Sequence, residues 1–288
     1  MIVGLVNAPA QIREHGDQSV QSHMAAQGRN TQARRWAIVQ EVQRRQRATV
    51  AELSASLGVS QVSIRNDLEH LHLMGLLRRV HGGAEAITRP GQASQFHARL
   101  FDQIEAKRAI GAAAAARVQP GEVVILDAGT TVLEIARHLP APLLENGGLT
   151  VITRSLVIAG ELRHHRQVRL LMPGGVYMHD YDAFSGSQVE SALQGMHAGT
   201  LYIGTDGVVL DRGLTTDNAL EAGLYRVLAR CADRIVVVTD STKIGLNKLQ
   251  VLLSLDQVHA LITDDGARPE FLDGLRRRGI EVLAVPRP

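Results

Sequence analysis

The chain has 288 residues, 45% of them apolar, and a net charge of +2, which is enough for two domains with a core in each. Its single cysteine, Cys231, excludes an intramolecular disulfide and a thiolate zinc site of the finger type, and reads as a small apolar residue near a helix end. No apolar run approaches the roughly 20 residues of a membrane span, and the opening MIVGLVNAPA lacks the basic flank of a secretion signal, so a soluble cytoplasmic protein is expected.

Residues 1–30 are rich in Gln, Ala, Gly, Ser and His without periodicity and are expected to form a disordered arm; Met24 offers an alternative translation start. From Thr31 to Gln46 the residues Trp36, Ile38, Val39 and Val42 make a helical apolar stripe. Thr49-x-x-Glu52 is a capping box that opens a short second helix with Val50, Leu53 and Leu57 on its apolar face, and Gly58 ends it. Ser60 caps a third helix running to about Met74. There Ile64, Leu68 and Leu71 face the core and leave Gln61, Ser63, Arg65, Asn66 and Glu69 on the opposite side. After Gly75, two short strands carrying Arg78 and Arg79 flank the turn His81-Gly82-Gly83, whose glycines permit positive φ and close approach to a phosphate backbone.

Helix, turn, helix and basic hairpin in that order predict a winged helix-turn-helix over 31–87. Arg and Asn on the third helix suit guanine and adenine in the major groove. Eight arginines against five acidic residues in this stretch agree with a double-stranded DNA partner, although such runs are usually solvated faces. The bland alternative is a small helical interaction module. Ser60, Gln61, Ser63, Arg65, Asn66, Arg78, Arg79, His81, Gly82 and Gly83 are the candidate DNA contacts.

Residues 88–106 read as a linker, and 107–288 as an α/β domain. The runs EVVILD (122–127), LTVIT (149–153), VRLLM (168–172), TLYIGT (200–205), RIVVVT (234–239), HALIT (259–263) and IEVLAV (280–285) alternate with helical segments, which predicts a parallel sheet covered on both faces. Ligands bind such sheets at the carboxyl ends of the strands. Those ends carry Asp127-Ala-Gly129-Thr130-Thr131 opening a helix, Thr153 and Ser155, Gly174-Gly175, Asp206, and Asp240-Ser-Thr-Lys243. Gly-Thr-Thr at a helix N-terminus suits an anion, Lys243 is a counter-charge for phosphate, and Asp206 and Asp240 can accept sugar hydroxyls. Taken alone, Gly-Thr-Thr is more often a helix cap. Glu221 faces either this cleft or solvent. The spacings of a nucleotide P-loop and a dinucleotide fold are absent, so no cofactor is predicted. The pairs His70, His72 and His164, His165 lack clustered carboxylate or thiol ligands, so no metal site is predicted.

Val59-Ser-Gln-Val-Ser-Ile-Arg-Asn-Asp-Leu68, Arg79-Val-His-Gly-Gly-Ala84, Phe96-x-x-Arg99, Lys107-Arg-x-Ile110 and the strand-end motifs, all in order, resemble the DeoR family of bacterial transcriptional regulators over about residues 31–285. The resemblance implies a repressor whose Rossmann-like C-terminal domain is similar to sugar-phosphate isomerases and senses a phosphorylated sugar. Asp127, Gly129, Thr130, Thr131 and Lys243 would line the effector site, with Glu221 near the place of the isomerase base. Three positions depart from the family pattern: Val132 stands for a third threonine, Arg154 for an asparagine and Asn66 for a second arginine. IRNDL together with RGLTTDNALEA (212–222) looks most like regulators of N-acetylgalactosamine and related amino-sugar catabolism.

The competing readings are an active isomerase using Glu221 and Asp206, and a transcriptional activator. Because one helix-turn-helix reads only a short half-site, a homodimer or homotetramer is expected.

Overall fold

The computed structural model describes residues 31, 34–73, 75–87, 95–100, 102–218 and 221–287; the expected N-terminal arm lies outside them. The chain divides into two compact units, residues 1–93 and 94–288.

In the first unit a helix over 34–45 (α1) precedes a strand Arg47–Thr49 (β1), helices Val50–Leu57 (α2) and Gln61–Leu73 (α3), and strands Arg78–Val80 (β2) and Gly83–Glu85 (β3). The capping box at the start of α2 is formed: the Thr49 hydroxyl accepts from the Glu52 amide at 3.2 Å, and the Glu52 carboxylate accepts from the Thr49 amide at 2.7 Å. This satisfies two amides that a bare helix end leaves unpaired. Ser60 caps α3 through the Ser63 amide at 3.2 Å. Ile64, Leu68 and Leu71 are buried, as are Ile38, Val39, Val42 and Leu53, each contributing on the order of 1.5–3 kcal/mol of apolar burial.

Trp36 departs from the expected stripe, since it is 37% exposed and the core closes without it. A further departure is β1, which was not expected. It pairs antiparallel with β3, so the wing is three-stranded in the order β1-β3-β2. Three residues are too few for an alternating pattern to register.

The second unit starts earlier than the expected linker allows. Gln95–Leu100 is a helix (α4) that buries Phe96 and Leu100, and Ile104–Ala115 (α5) follows. The expected linker 88–106 therefore contains a helix and the start of another. Six residues with two buried apolar anchors give too weak a periodicity to separate from loop.

From there the chain continues with β4 Val123–Leu126, α6 Thr130–Arg137, α7 Ala141–Glu145, β5 Thr150–Ile152, α8 Leu156–Leu162 and β6 Arg169–Leu171. A hairpin of β7 Val176–Met178 and β8 Ala183–Ser185 leads to α9 Ser187–Leu193 and β9 Ala198–Ile203. The remainder is β10 Gly207–Val209, β11 Gly213–Thr216, α10 Glu221–Arg230, β12 Ala232–Val238, β13 Gln250–Leu253, β14 Ala260–Asp264, α11 Pro269–Arg276 and β15 Glu281–Val285.

All seven predicted runs enter one sheet in the order β15-β14-β12-β9-β4-β5-β6, and every pairing in it is parallel. Val124, Ile125, Val151, Leu201, Ile203, Val236, Val237 and Leu261 are buried in it, as expected of strands covered on both faces. Cys231 is buried at the end of α10, its thiol directed at the Leu193 carbonyl at 3.4 Å. A small antiparallel sheet, β10-β11-β13, and the β7–β8 hairpin were not anticipated. They stand beside the carboxyl ends of the large sheet and supply walls to the cleft described next.

Candidate functional site

Each unit presents one candidate surface. In the first, Ser60, Gln61, Arg65 and Asn66 are exposed on the N-terminal half of α3 and Ser63 is half-buried. Val62, 63% exposed in the same turn, was not singled out, yet an apolar side chain there suits a thymine methyl. The Arg65 guanidinium donates to Gln61 Oε1 at 3.2 Å, which extends both along the helix face. Asp67 is 2% exposed and accepts from Arg34 at 2.6 Å and Arg35 at 2.9 Å, so two of the eight arginines clamp α1 to α3 and are not free for phosphate.

On the wing, Arg78 is exposed and pairs with Glu85. Arg79 donates to the Arg65 carbonyl at 2.9 Å and lies 3.5 Å from Glu69, fixing the hairpin against the recognition helix. His81 and Gly82 are exposed at the tip. Gly83 is not: a Cβ there would stand 2.2 Å from the Ala48 carbonyl oxygen. The close approach it permits is to β1, and its expected role against DNA is withdrawn.

In the second unit, the strand ends converge on a cleft lined among others by Gly129, Thr130, Thr131, Asp206, Glu221, Asp240 and Lys243, seven of the twelve expected residues. Gly129 takes φ 143° and ψ 152° as the residue before α6, a conformation that disfavours any side chain. No side chain caps this helix, so its first-turn amides and the Thr130 and Thr131 hydroxyls are offered to an anion. Lys243 sits on a short 3₁₀ turn, Ser241–Lys243, whose start is capped by the Asp240 carboxylate accepting from the Thr242 amide at 3.1 Å. Asp264, 1% exposed, anchors the same turn through the Ser241 amide and hydroxyl at 2.6 and 2.7 Å. Asp240 therefore orients the lysine turn more than it waits for a hydroxyl. Lys243 has no ion pair among the described residues.

The other five expected residues do not line the cleft. Thr153 accepts from the Ser155 amide at 3.1 Å, and Ser155, fully buried, caps α8 through the Ile158 amide at 3.3 Å. Gly174 is exposed away from it, and Gly175 serves packing, a Cβ there lying 2.6 Å from the Ser185 carbonyl oxygen. Asp127 is 1% exposed beneath the floor. It accepts from Arg154 Nε at 2.5 Å and from the Tyr225 hydroxyl at 2.8 Å.

Arg154 is the centre of that floor. It is 3% exposed, donates through Nη2 to Glu221 Oε1 at 2.9 Å and through Nη1 to the Phe184 carbonyl at 3.2 Å, and still lines the cleft. Burial opposes its charge, but Asp127 and Glu221 hold its pKa above the ordinary arginine value. Burial pushes the Glu221 carboxyl up, with Arg154 pulling it back. Burial, followed by the charges of Asp127 and Glu221, drives the Tyr225 hydroxyl far above its usual range.

At the other side stand Lys107 and Arg99. Burial lowers the Lys107 amine to about 8, with Asp240 and Asp102 working against that shift and Lys243 and Arg99 adding to it. Asp206 is engaged at both oxygens, by Arg99 at 2.8 Å and by the Thr216 hydroxyl at 2.8 Å.

The family model for the DeoR-like helix-turn-helix domain matches residues 34–90, and that for the DeoR C terminal sensor domain matches residues 102–265. The chain belongs to the DeoR family. It is 36% identical to an Escherichia coli O157:H7 protein that carries the provisional name aga operon transcriptional repressor, over 88% of this chain and 94% of that one. It is 31% identical to the transcriptional repressor AccR of Agrobacterium fabrum, over 83% of this chain and 92% of that one. Among solved structures, ribose 5-phosphate isomerase A of Methanocaldococcus jannaschii aligns with a TM-score of 0.35 at 17% identity, over 48% of this chain and 53% of that one, a likeness too loose to bear on function.

As a DeoR-family chain it is a DNA-binding transcriptional regulator with a sensor domain, and no described helix is long and apolar enough to cross a membrane. Its motifs announced Lys107 and Arg99 only as family landmarks. Their place in the cleft arises because α4 and the start of α5 fold back over the strand ends, a long-range event with no local signature. Arg154 stood out as a departure at a strand end. Its partner Tyr225 had no sequence signal.

Proposed function

We propose that this DeoR-family regulator is a homo-oligomeric repressor of a sugar catabolic operon, bound to double-stranded operator DNA and released when a phosphorylated sugar enters the cleft. The observation that carries the reading is the convergence of the uncapped α6 N-terminus, Lys107 and Lys243 on a single cleft that also holds carboxylates, hydroxyls and two guanidinium groups already paired with carboxylates, Arg99 with Asp206 and Arg154 with Glu221. A phosphate group matches the first set, and sugar hydroxyls or an ammonium match the second. Asp206 and Glu221 would suit the ammonium of an amino sugar, in line with the resemblance of RGLTTDNALEA (212–222) to regulators of amino-sugar catabolism. The ion pair between Glu221 and Arg154 argues for sensing over isomerisation, because a general base must be free to take a substrate proton.

Gel shift on operator fragments from the chain's own gene neighbourhood, with inorganic phosphate, fructose 6-phosphate, galactosamine 6-phosphate and N-acetylgalactosamine 6-phosphate as probes, tests the reading. Specific binding released by a sugar phosphate is expected; specific binding indifferent to all of them would remove the sensor half of the proposal. On the DNA side, Arg65→Ala is expected to cost about 1–3 kcal/mol on the cognate operator and to relax specificity at one base pair. An equal loss on random DNA would reduce Arg65 to a phosphate contact.

A further inference from the structure

The helix α4 is the first described element of the second unit, and three of its polar attachments run to residues lining the cleft. The Phe96 amide donates to the Asp180 carbonyl at 2.8 Å. Arg99 Nη1 donates to Asp206 Oδ1 at 2.8 Å. Lys107 Nζ donates to the carbonyl oxygens of Arg99, at 2.6 Å, and Asp102, and so grips the chain where α4 ends. Asp180, Asp206 and Lys107 line the cleft, as do Phe96 and Arg99 themselves. A six-residue helix has no stability of its own, and α4 is held by the buried Phe96 and Leu100 together with these polar contacts. Its position therefore depends on groups that a ligand would also want. Backbone carbonyls are weaker partners for an ammonium than a phosphate is.

We propose that α4 is a strap that the effector displaces: the ligand's phosphate takes Lys107 from the carbonyls of Arg99 and Asp102, a ligand hydroxyl or ammonium takes Asp206 from Arg99, and the freed helix leaves the DNA-binding unit in a state of lower operator affinity. The inference rests on the reading that the cleft takes a sugar phosphate. The low value of the Lys107 amine, about 8, agrees with a cation poorly compensated by its present partners. Strap and ligand compete for the same groups, so loosening the strap must strengthen ligand binding and weaken operator binding together.

That opposition of signs is the test. In the full chain, Arg99→Gln is expected to weaken operator binding in the absence of ligand by about tenfold, the size of a typical allosteric coupling. The same variant should bind sugar phosphate more tightly than wild type, and Arg99→Lys should restore both. Hydrogen exchange of amides 95–100 should quicken in Arg99→Gln, and also in wild type saturated with the sugar phosphate that releases the operator. Wild-type operator affinity in Arg99→Gln, or weaker ligand binding by it, would make Arg99 a plain structural or ligand contact and end the proposal. So would unchanged or slower exchange over 95–100 in liganded wild type, a measurement that needs no variant to fold. If no sugar phosphate binds wild type while Arg99→Gln still loosens α4 and weakens operator binding, the strap stands and the assigned ligand class falls.

Discussion

Replacing Arg154 with Met is expected to destabilise the second unit by about 3–5 kcal/mol, the usual cost of removing one partner from a buried ion pair. The reason lies in what stays behind. Asp127 and Glu221, 1% and 4% exposed, would keep only the Tyr225 hydroxyl, which donates to Asp127, of the contacts described above, and the methionine offers neither charge nor donor. For a unit of this size the melting temperature should fall by roughly 10 °C.

The deficit should also depend on pH. Burial pushes the Glu221 carboxyl up and Arg154 pulls it back; without the guanidinium the upward shift is unopposed by that partner, so the native state would bind more protons than the unfolded one, and stability of the variant would rise as pH falls. Thermal melts from pH 8 to pH 5 check this: the gap between variant and wild type should narrow toward the acid end. A gap below about 1 kcal/mol at pH 8, far under the cost of a broken buried pair, would mean that the cluster relaxes around its charges and that Arg154 does not hold the floor.

Replacing Lys243 with Ala is expected to leave operator binding intact and to weaken the effector by about 10- to 100-fold, the worth of a hydrogen bond between charged groups. Lys243 projects from a turn already fixed by Asp240 and Asp264, so its loss should remove a charge without disturbing the fold. Titration of the DNA complex with the active sugar phosphate reads this directly, and normal release would move the anion site elsewhere. The second cation sets a pH limit on the same site. Lys107 titrates near 8 in the folded chain, below the ordinary lysine value, so its charge is present below that pH and lost as pH rises through it. The phosphate is already dianionic above about pH 6. Effector affinity should therefore decline between pH 7 and pH 9 for a reason that belongs to the protein, and a flat profile would take Lys107 out of the phosphate site.

Features that depend on near neighbours are legible in the chain. The capping box of Thr49 and Glu52, the Ser60 cap, the Ile64, Leu68, Leu71 stripe and the seven apolar runs of the central sheet are all set by residues within a few positions of one another. Side-chain spacing decides which face of a helix or strand is buried. Gly129, Thr130 and Thr131 were legible for the same reason, being a local helix start at a strand end.

Features that depend on distant partners are not legible in the chain alone. Among the expected ligands, Thr153, Ser155 and Asp127 were drawn into caps and a buried ion pair, because a polar group at a strand end is taken by whichever unpaired neighbour the fold brings nearest, and a buried donor left alone costs more than a ligand contact gains. Asp67 was read as part of a charge tally, yet it clamps Arg34 and Arg35 from 33 and 32 positions away. Arg154 was visible as an unusual residue, but its meaning came from Glu221, 67 positions further on. Arg99 meets Asp206 across 107 positions, so the wall that joins the connecting segment to the cleft exists only once the sheet has formed and its strand ends have been gathered on one side.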